Sequence, residues 1–328
     1  MLDIILSALL PMVVTFLLGF VAARRHDFGS KDAPTLNRMV LQYAVPLALF
    51  AGTVTTSRAA LSKDIPLVIA LCAGIIGFYG VVFLFSRIVL RMQVSMSALA
   101  ALTASAPAVP FVGPAVLGDL FGGLSAIPIA LGGLVINLTV VPITILLLAL
   151  NSTGREPTEN TPAQGGEQSE SSPRSYVSVF AAKFVETVKE PIVWAPVIAF
   201  VIVLIGLHIS QVIVHSLSLL GQASGGVALF ACGIVLASGK IKVTRQILFF
   251  VFLKNVIQPA LVLGGLRWLG YGSPVVSEAV LTTAIPTMPI VIMFALQYRI
   301  AQAEAASAVF FSMMGSVVTM GVFIALTR

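Results

Sequence analysis

Residues 102–110 of the chain read Leu-Thr-Ala-Ser-Ala-Pro-Ala-Val-Pro, and residues 281–289 read Leu-Thr-Thr-Ala-Ile-Pro-Thr-Met-Pro. Each stretch places a Pro-x-x-Pro inside a long apolar run, and the two lie 179 residues apart. A helix that spans a membrane is broken only where the freed backbone groups are buried in protein or line a cavity. Paired proline-interrupted spans in corresponding halves of a chain indicate the binding site of a transporter.

The composition excludes an ordinary soluble domain. The 328 residues are 58% hydrophobic and only 10% charged, whereas soluble domains carry about 25% charged residues. The chain has a formal net charge of +6, but its basic residues lie in short loops between apolar runs, which is typical of membrane topology. We therefore expect an all-α polytopic membrane protein that has the lipid bilayer as a partner and does not bind nucleic acid.

Apolar runs long enough to span a membrane, which takes about 20 residues, occur throughout the chain. A polar segment, 151–176, has no apolar period and is predicted to be a disordered cytoplasmic linker. It separates a first repeat of five spans, 1–150, from a second, 177–328. The ten predicted spans are 3–23, 35–56, 65–90, 95–119, 124–150, 190–208, 212–238, 244–269, 274–298 and 303–326.

Lysine and arginine predict the orientation of these spans. The loops after the first, third, fifth, seventh and ninth spans hold 14 of the 19 basic residues, and the opposite side holds 4. The basic side is therefore expected to be cytoplasmic, with both termini in the periplasm of a bacterial inner membrane. Because five is odd, the second repeat would enter the membrane inverted. The sequence Ala-Leu-Phe-Ala at 48–51 recurs at 228–231 and supports the repeat.

The sequence contains no motif of an enzyme. It has neither a cluster of metal ligands nor a nucleotide-binding loop, so we predict no catalytic residue, no metal site and no cofactor. One charge, Lys254, lies deep inside a span, with Gln258 on the same helix face. Lys254 could be the counter-charge of an anionic substrate or could bind carbonyls freed by a broken helix. Both interpretations stay open from the sequence.

The two breaks predict an anion site at the middle of the membrane. The N-terminal end of each half-helix would direct free amides, with positive partial charge, into the cavity. No carboxylate lies at the centre of the spans to balance a cation. The predicted substrate-binding residues are Ser105, Pro107, Ala108, Val109, Asn137, Lys254, Gln258, Thr283, Pro286, Thr287 and Met288.

At these residues the chain resembles the auxin efflux carrier family, which includes plant carriers and bacterial carboxylate transporters. Residues 284–286, Ala-Ile-Pro, followed by Phe-Ala-Leu-Gln-Tyr at 294–298, are similar to the family's ninth helix. Residues 189–196, Lys-Glu-Pro-Ile-Val-Trp-Ala-Pro, and Lys254 with Gln258 are most similar to the malonate-transporter branch. At Ala108 and Thr287 the family often has amide side chains, which this chain lacks.

The resemblance implies a fold shared with bile acid/sodium symporters. Helices 1, 2, 6 and 7 would form a scaffold, and helices 3–5 and 8–10 a transport domain in which helices 4 and 9 cross at their breaks. Alternating access would be of the elevator type, often in a homodimer.

The leading hypothesis is a secondary transporter of a small organic anion, either a malonate-like dicarboxylate or another carboxylate, coupled to H⁺ or Na⁺ if it is coupled at all. A sodium-coupled symporter of a bulkier, bile-acid-like anion is the alternative, with oxygen ligands from Thr103, Ser105, Asn137, Thr282 and Thr283. A membrane sensor or assembly protein that transports nothing is the third.

Overall fold

The computed structural model describes residues 2–29, 31–56, 64–152, 189–207, 209–238 and 241–327. The helices in these ranges run as follows: α1 Leu2–Arg24, α2 33–54, α3 Ile65–Ile88, α4 Val94–Ser105, α5 Val109–Phe121, α6 126–152, α7 Pro191–Ile205, α8 Gln211–Ser238, α9 Arg245–Trp268, α10 Val275–Ala284, α11 Ile290–Gln297 and α12 Gln302–Thr327. The predicted linker, 151–176, lies outside the described residues except for 151 and 152, which extend α6.

Length and composition make this a multi-pass membrane protein. Among the described residues, five helical stretches are long and apolar enough to cross a bilayer: Ile65–Ile88, Val109–Leu150, Gln211–Ser238, Arg245–Trp268 and Gln302–Thr327. Four shorter helices are also apolar: Leu9–Arg24, Val94–Ser105, Pro191–Ile205 and Val275–Ala284. The topology of ten spans stays a prediction, because several of these helices are too short to cross alone.

The long stretch from Val109 to Leu150 is a hairpin of two helices. A 3₁₀ turn, Gly122–Ser125, joins α5 to α6, and the two helices pack against each other. Gly122 has a φ of +57°, a backbone conformation that glycine adopts at little steric cost. This turn lets two helices that follow each other in sequence lie side by side.

Both Pro-x-x-Pro stretches interrupt a helix in the same way. α4 ends at Ser105, and the next residue, Ala106, is extended with a ψ of 105°. α10 ends at Ala284, and Ile285 is extended with a ψ of 138°. Each of these extended residues directly precedes a proline, whose ring disfavours helical conformation in the residue before it. The fourth and ninth predicted spans are therefore each two helices, α4 with α5 and α10 with α11.

Of the four π-helical segments in the described residues, two occur at equivalent places in the two halves. One covers Ala73–Gly77 within α3, and the other covers Leu253–Ile257 within α9. They are offset by 180 residues, as are the two Ala-Leu-Phe-Ala sequences. A π-helical turn is rare and often lies at a functional site. Its recurrence at this offset supports the predicted repeat, although the inverted arrangement itself stays a prediction.

Glycines allow α1 and α8 to pack with their backbones almost in contact. A Cβ atom built on Gly19 would lie 2.0 Å from the carbonyl oxygen of Phe230, and one on Gly233 would lie 2.2 Å from that of Phe16. Small residues at helix interfaces are what permits such an approach in membranes. α2 in turn packs against α7 and α8, so these four helices form one contact group.

Alanine at Gly19 is expected to destabilise the protein, because its methyl group would overlap a main-chain oxygen. Overpacking of this kind costs about 1–3 kcal/mol. Gly19→Ala and Gly233→Ala should each lower the melting temperature of the purified protein in detergent by several degrees. Gly226→Ala is the control, because Gly226 lies on α8 like Gly233 but has no atom near the added Cβ. This variant should leave the melting temperature unchanged or raise it. Equal melting temperatures in all three variants would contradict the close packing.

Candidate functional site

The two helix breaks meet and pair with each other through their main chains. The amide of Ala108 donates to the carbonyl of Pro286 at 2.8 Å, and the amide of Met288 donates to the carbonyl of Ala106 at 2.9 Å. These bonds form an isolated antiparallel β-bridge. An offset of 180 residues converts either bond into the other, so the pairing has the local two-fold relation expected of repeats that cross.

The carbonyls at the ends of α4 and α10 are bound by long side chains from α9. Lys254 Nζ donates to the carbonyl of Thr283 at 2.6 Å and to Gln258 Oε1 at 2.8 Å. Gln258 Nε2 donates to the carbonyls of Ser105 at 2.8 Å and Gly74 at 2.9 Å. Both side chains are fully buried. Lys254 and Gln258 therefore satisfy backbone groups that the breaks leave without a helical partner.

Thr287 connects the crossover to α12 and α9. Its amide donates to Ser312 Oγ at 2.9 Å, and its hydroxyl donates to the carbonyl of Thr103 at 2.9 Å. Ser312 Oγ then donates to Asn255 Oδ1 at 2.8 Å, and Asn255 Nδ2 returns a bond to the carbonyl of Ser312 at 2.8 Å. A hydroxyl at position 287 thus has a defined structural partner.

The amides at the breaks differ from the expectation of free donors. Those of Ala108 and Met288 bond across the crossover, that of Val109 bonds to the carbonyl of Pro107, and that of Thr287 bonds to Ser312. The physical reason is that an unpaired buried amide is costly, so each break satisfies the other. In this conformation these four amides are used within the protein. Their contact with an anion stays a prediction.

A cavity of about 380 Å³ lies beside the crossover. α2, α5 and α6 form most of its wall, and Ser224 of α8 and Met288 complete it. The apolar lining includes Leu49, Phe111 and Ile129, and none of the described residues that line the cavity is charged. The predicted site residues Asn137 and Met288 line this cavity, whereas Lys254 and Gln258 do not. Of these four predicted site residues, Lys254 and Gln258 thus belong to the buried hydrogen-bond network, whereas Asn137 and Met288 belong to the cavity wall.

Three polar side chains of this cavity lack a partner. Within the described ranges, buried side-chain atoms without a hydrogen bond include Thr53 Oγ1, Asn137 Oδ1 and Ser224 Oγ. All three residues line the cavity and are at most 4% exposed. A buried polar atom that makes no hydrogen bond costs free energy. Such atoms around one cavity are therefore groups that a bound molecule can satisfy.

Sequence reasoning missed Thr53 and Ser224. Both lie on helices that the resemblance assigns to the scaffold, and nothing in the sequence distinguishes them from ordinary packing residues. Asn137 was found because an amide within an apolar run is unusual, but a single hydroxyl is not. Only the tertiary structure brings the hydroxyls to the same cavity as the amide.

A family model described as "Membrane transport protein" matches residues 4–324 of the chain. The chain belongs to this family of membrane transporters. It is 29% identical over 331 residues to the "Uncharacterized transporter YfdV" of Escherichia coli strain K12, an alignment that covers 100% of this chain and 99% of the relative. Proteins of that name in Escherichia coli O157:H7 and Shigella flexneri are equally similar. The protein is therefore a transporter and not an enzyme.

The family result agrees with the resemblance to auxin efflux carriers. The malonate branch and the fold of the bile acid/sodium symporters stay predictions. The comparisons do not name a substrate, so the class of substrate has to be inferred from the chemistry of the site.

Replacing Lys254 is expected to destabilise the protein in the absence of any substrate. Lys254→Met fills the space but leaves the Thr283 carbonyl and Gln258 Oε1 without a donor; each such loss costs about 1–3 kcal/mol. The melting temperature should fall by several degrees. Lys242→Met is the matched control, because the side chain of Lys242 forms an exposed ion pair with Glu304, which contributes about 0–1 kcal/mol.

The opposite result for Lys254→Met would be informative. An unchanged melting temperature without ligand, combined with a lost stabilisation by carboxylates, would make Lys254 a substrate group rather than a structural one.

Proposed function

We propose that this transporter carries a small organic anion that has one carboxylate and an apolar body, and that the anion binds in the cavity beside the crossover. The observation that carries the proposal is the set of unpartnered polar atoms of Thr53, Asn137 and Ser224 in an otherwise apolar cavity. Ligand pockets commonly combine apolar walls with a few polar groups that fix orientation.

The polar groups of the cavity suit a carboxylate. Hydroxyls donate one hydrogen bond each, and the amide of Asn137 donates through Nδ2 once its side chain turns to face the ligand. Hydrogen bonds to a charged acceptor are about twice as strong as neutral ones. A monocarboxylate can therefore exchange its water for these donors while its apolar part contacts Leu49, Phe111 and Ile129.

A dicarboxylate such as malonate fits this conformation less well. Its second charge would enter a cavity whose lining contains no cation, and a buried charge without a partner is costly. Lys254, which the sequence offers as the counter-charge, is bonded to Thr283 and Gln258 away from the cavity lining. We therefore rank monocarboxylates above malonate-like substrates, both within the predicted class of organic anions.

Four of the five oxygen ligands of the sodium-coupled alternative already form hydrogen bonds within the protein. The hydroxyls of Thr103, Ser105, Thr282 and Thr283 donate to carbonyls of their own helices. Lys254 Nζ already donates to the carbonyl of Thr283, and Glu278 on α10 lies more than one turn before Thr283. A sodium ion there would be a buried cation without an adjacent carboxylate. We propose transport that is independent of sodium.

Alternating access would hold a substrate between the scaffold and the transport domain. α2 and α8 belong to the predicted scaffold, and α5, α6 and the break that carries Met288 belong to the predicted transport domain. The cavity lies between them, near the C-terminal part of α2 and the N-terminal part of α6. Positive charges assign this end of the bundle to the periplasm. We therefore propose that the cavity serves an elevator-type transporter in the inner membrane and that this conformation faces outward.

Uptake into proteoliposomes tests the proposed function. Labelled phenylacetate should accumulate with the wild-type protein, faster than labelled malonate and equally in sodium and choline buffers. Asn137→Leu should reduce the rate about 10-fold or more, which corresponds to a loss of about 1.4 kcal/mol or more. Ser224→Ala should reduce it a few-fold.

Ser97→Ala is the matched control for Ser224→Ala. The hydroxyl of Ser97 is also buried and unpartnered, but Ser97 does not line the cavity, so uptake should be unchanged. Neither Asn137→Leu nor Ser224→Ala should lower the melting temperature without ligand, because Asn137 Oδ1 and Ser224 Oγ form no hydrogen bond with the described residues. Wild-type protein that moves neither phenylacetate nor malonate would sink the proposal, and uptake that requires sodium would restore the alternative.

A further inference from the structure

A second, smaller pocket of about 140 Å³ lies at the opposite end of α2 from Thr53. Its floor is apolar and includes Leu41, Ile145 and Phe294, all of them buried. Its lining also contains polar side chains from three elements, namely Asn37, Arg38 and Gln42 of α2, Gln297 at the end of α11, and Glu190 before α7. The pocket therefore combines an apolar base with charged and amide groups.

Asn37 is the feature that marks this pocket as a binding site. The side chain is only 6% exposed, and its Oδ1 atom has no hydrogen-bond partner in the part of the chain that the structure describes. Arg38, which follows it on α2, is exposed and lines the same pocket. An acceptor without a donor and an arginine, which can donate two hydrogen bonds to one carboxylate, are thus available to one small molecule.

The chemistry of these groups specifies the ligand more closely than charge alone. A guanidinium takes a carboxylate, whereas the oxygen of an amide takes a donor such as a hydroxyl or ammonium group. The two groups together match a carboxylate whose neighbouring carbon carries a donor.

The pocket lies on some of the same helices as the larger cavity but is separate from it. α2 and α6 line both, while the second break contributes Met288 to the cavity and the helix that follows it, α11, contributes Phe294 and Gln297 to the pocket. Along α2, the two sets of lining residues are centred about ten positions apart, which is about 15 Å at the rise of an α-helix. Buried apolar residues Ala44, Val141 and Val291 lie on these helices between the two sets. Positive charges assign the end with Arg38 to the cytoplasm.

We propose that the pocket formed by Asn37, Arg38, Gln42 and Gln297 is a second ligand site, which binds a small 2-hydroxy or 2-amino carboxylate. Arg38 binds the carboxylate, Asn37 Oδ1 accepts the hydrogen bond from the hydroxyl or ammonium group, and the short carbon chain rests on Leu41, Ile145 and Phe294. The inference does not depend on the proposed function, because it concerns binding and not transport.

Calorimetric titration of the purified protein with lactate and propanoate tests this site, since the two acids differ only by one hydroxyl group. The wild-type protein should bind lactate about 10-fold more tightly, which corresponds to about 1.4 kcal/mol. Asn37→Leu should make the two affinities equal. Arg38→Gln should weaken the binding of both acids about 10-fold or more. Titration with the free amino acid alanine in parallel shows whether an ammonium group is preferred over a hydroxyl.

Arg245→Gln is the control for the lost charge. Arg245 is an exposed arginine that begins α9 and does not line the pocket, so this variant should keep the lactate preference. Asn37→Leu should fold normally, because Asn37 Oδ1 has no bond to lose. Equal affinities for lactate and propanoate in the wild-type protein, or a preference that survives Asn37→Leu, would overturn the proposal. Uptake of phenylacetate tests the proposal for the larger cavity separately, so the two proposals can fail independently.

Discussion

The structure depends on the need to satisfy backbone groups where two helices are broken inside an apolar bundle. Water is absent from the core of a bilayer, so each freed amide and carbonyl requires a protein partner. The chain meets this need by bringing one break against the other, with main-chain bonds between Ala108 and Pro286 and between Met288 and Ala106. The crossing of the two broken spans thus follows from hydrogen bonding and not only from side-chain packing.

The need for hydrogen-bond partners at the two breaks also explains the buried polar residues in the middle of α9. Lys254 and Gln258 bind three carbonyls, and Asn255 connects α9 to α12 through Ser312. These residues lie in or directly after a π-helical turn whose counterpart in α3 carries Gly74 and Ile75 instead. The two halves are therefore related in backbone but not in chemistry. One half supplies long polar side chains, and the other supplies a carbonyl that accepts a bond from them.

The functional proposals concern groups that this network leaves unused. Thr53, Asn137 and Ser224 face one cavity without partners, and Asn37 does the same in a second pocket at the other end of α2. A folded protein satisfies nearly all of its buried polar groups. Unsatisfied groups that line cavities are consequently more informative about ligands than Lys254, whose charge is conspicuous in the sequence but is bonded within the protein.

The sequence by itself determined the membrane class, the two helix breaks and their approximate positions, because hydrophobicity and proline geometry act locally. It also identified Lys254, Gln258 and Asn137 as unusual, since polar groups in apolar runs are rare. It could not assign Lys254 to carbonyls instead of a substrate, or bring Thr53 and Ser224 to the same cavity as Asn137. Those outcomes depend on which helices pack together, and the hydrogen-bond partners of a buried group are decided only by residues distant in the chain.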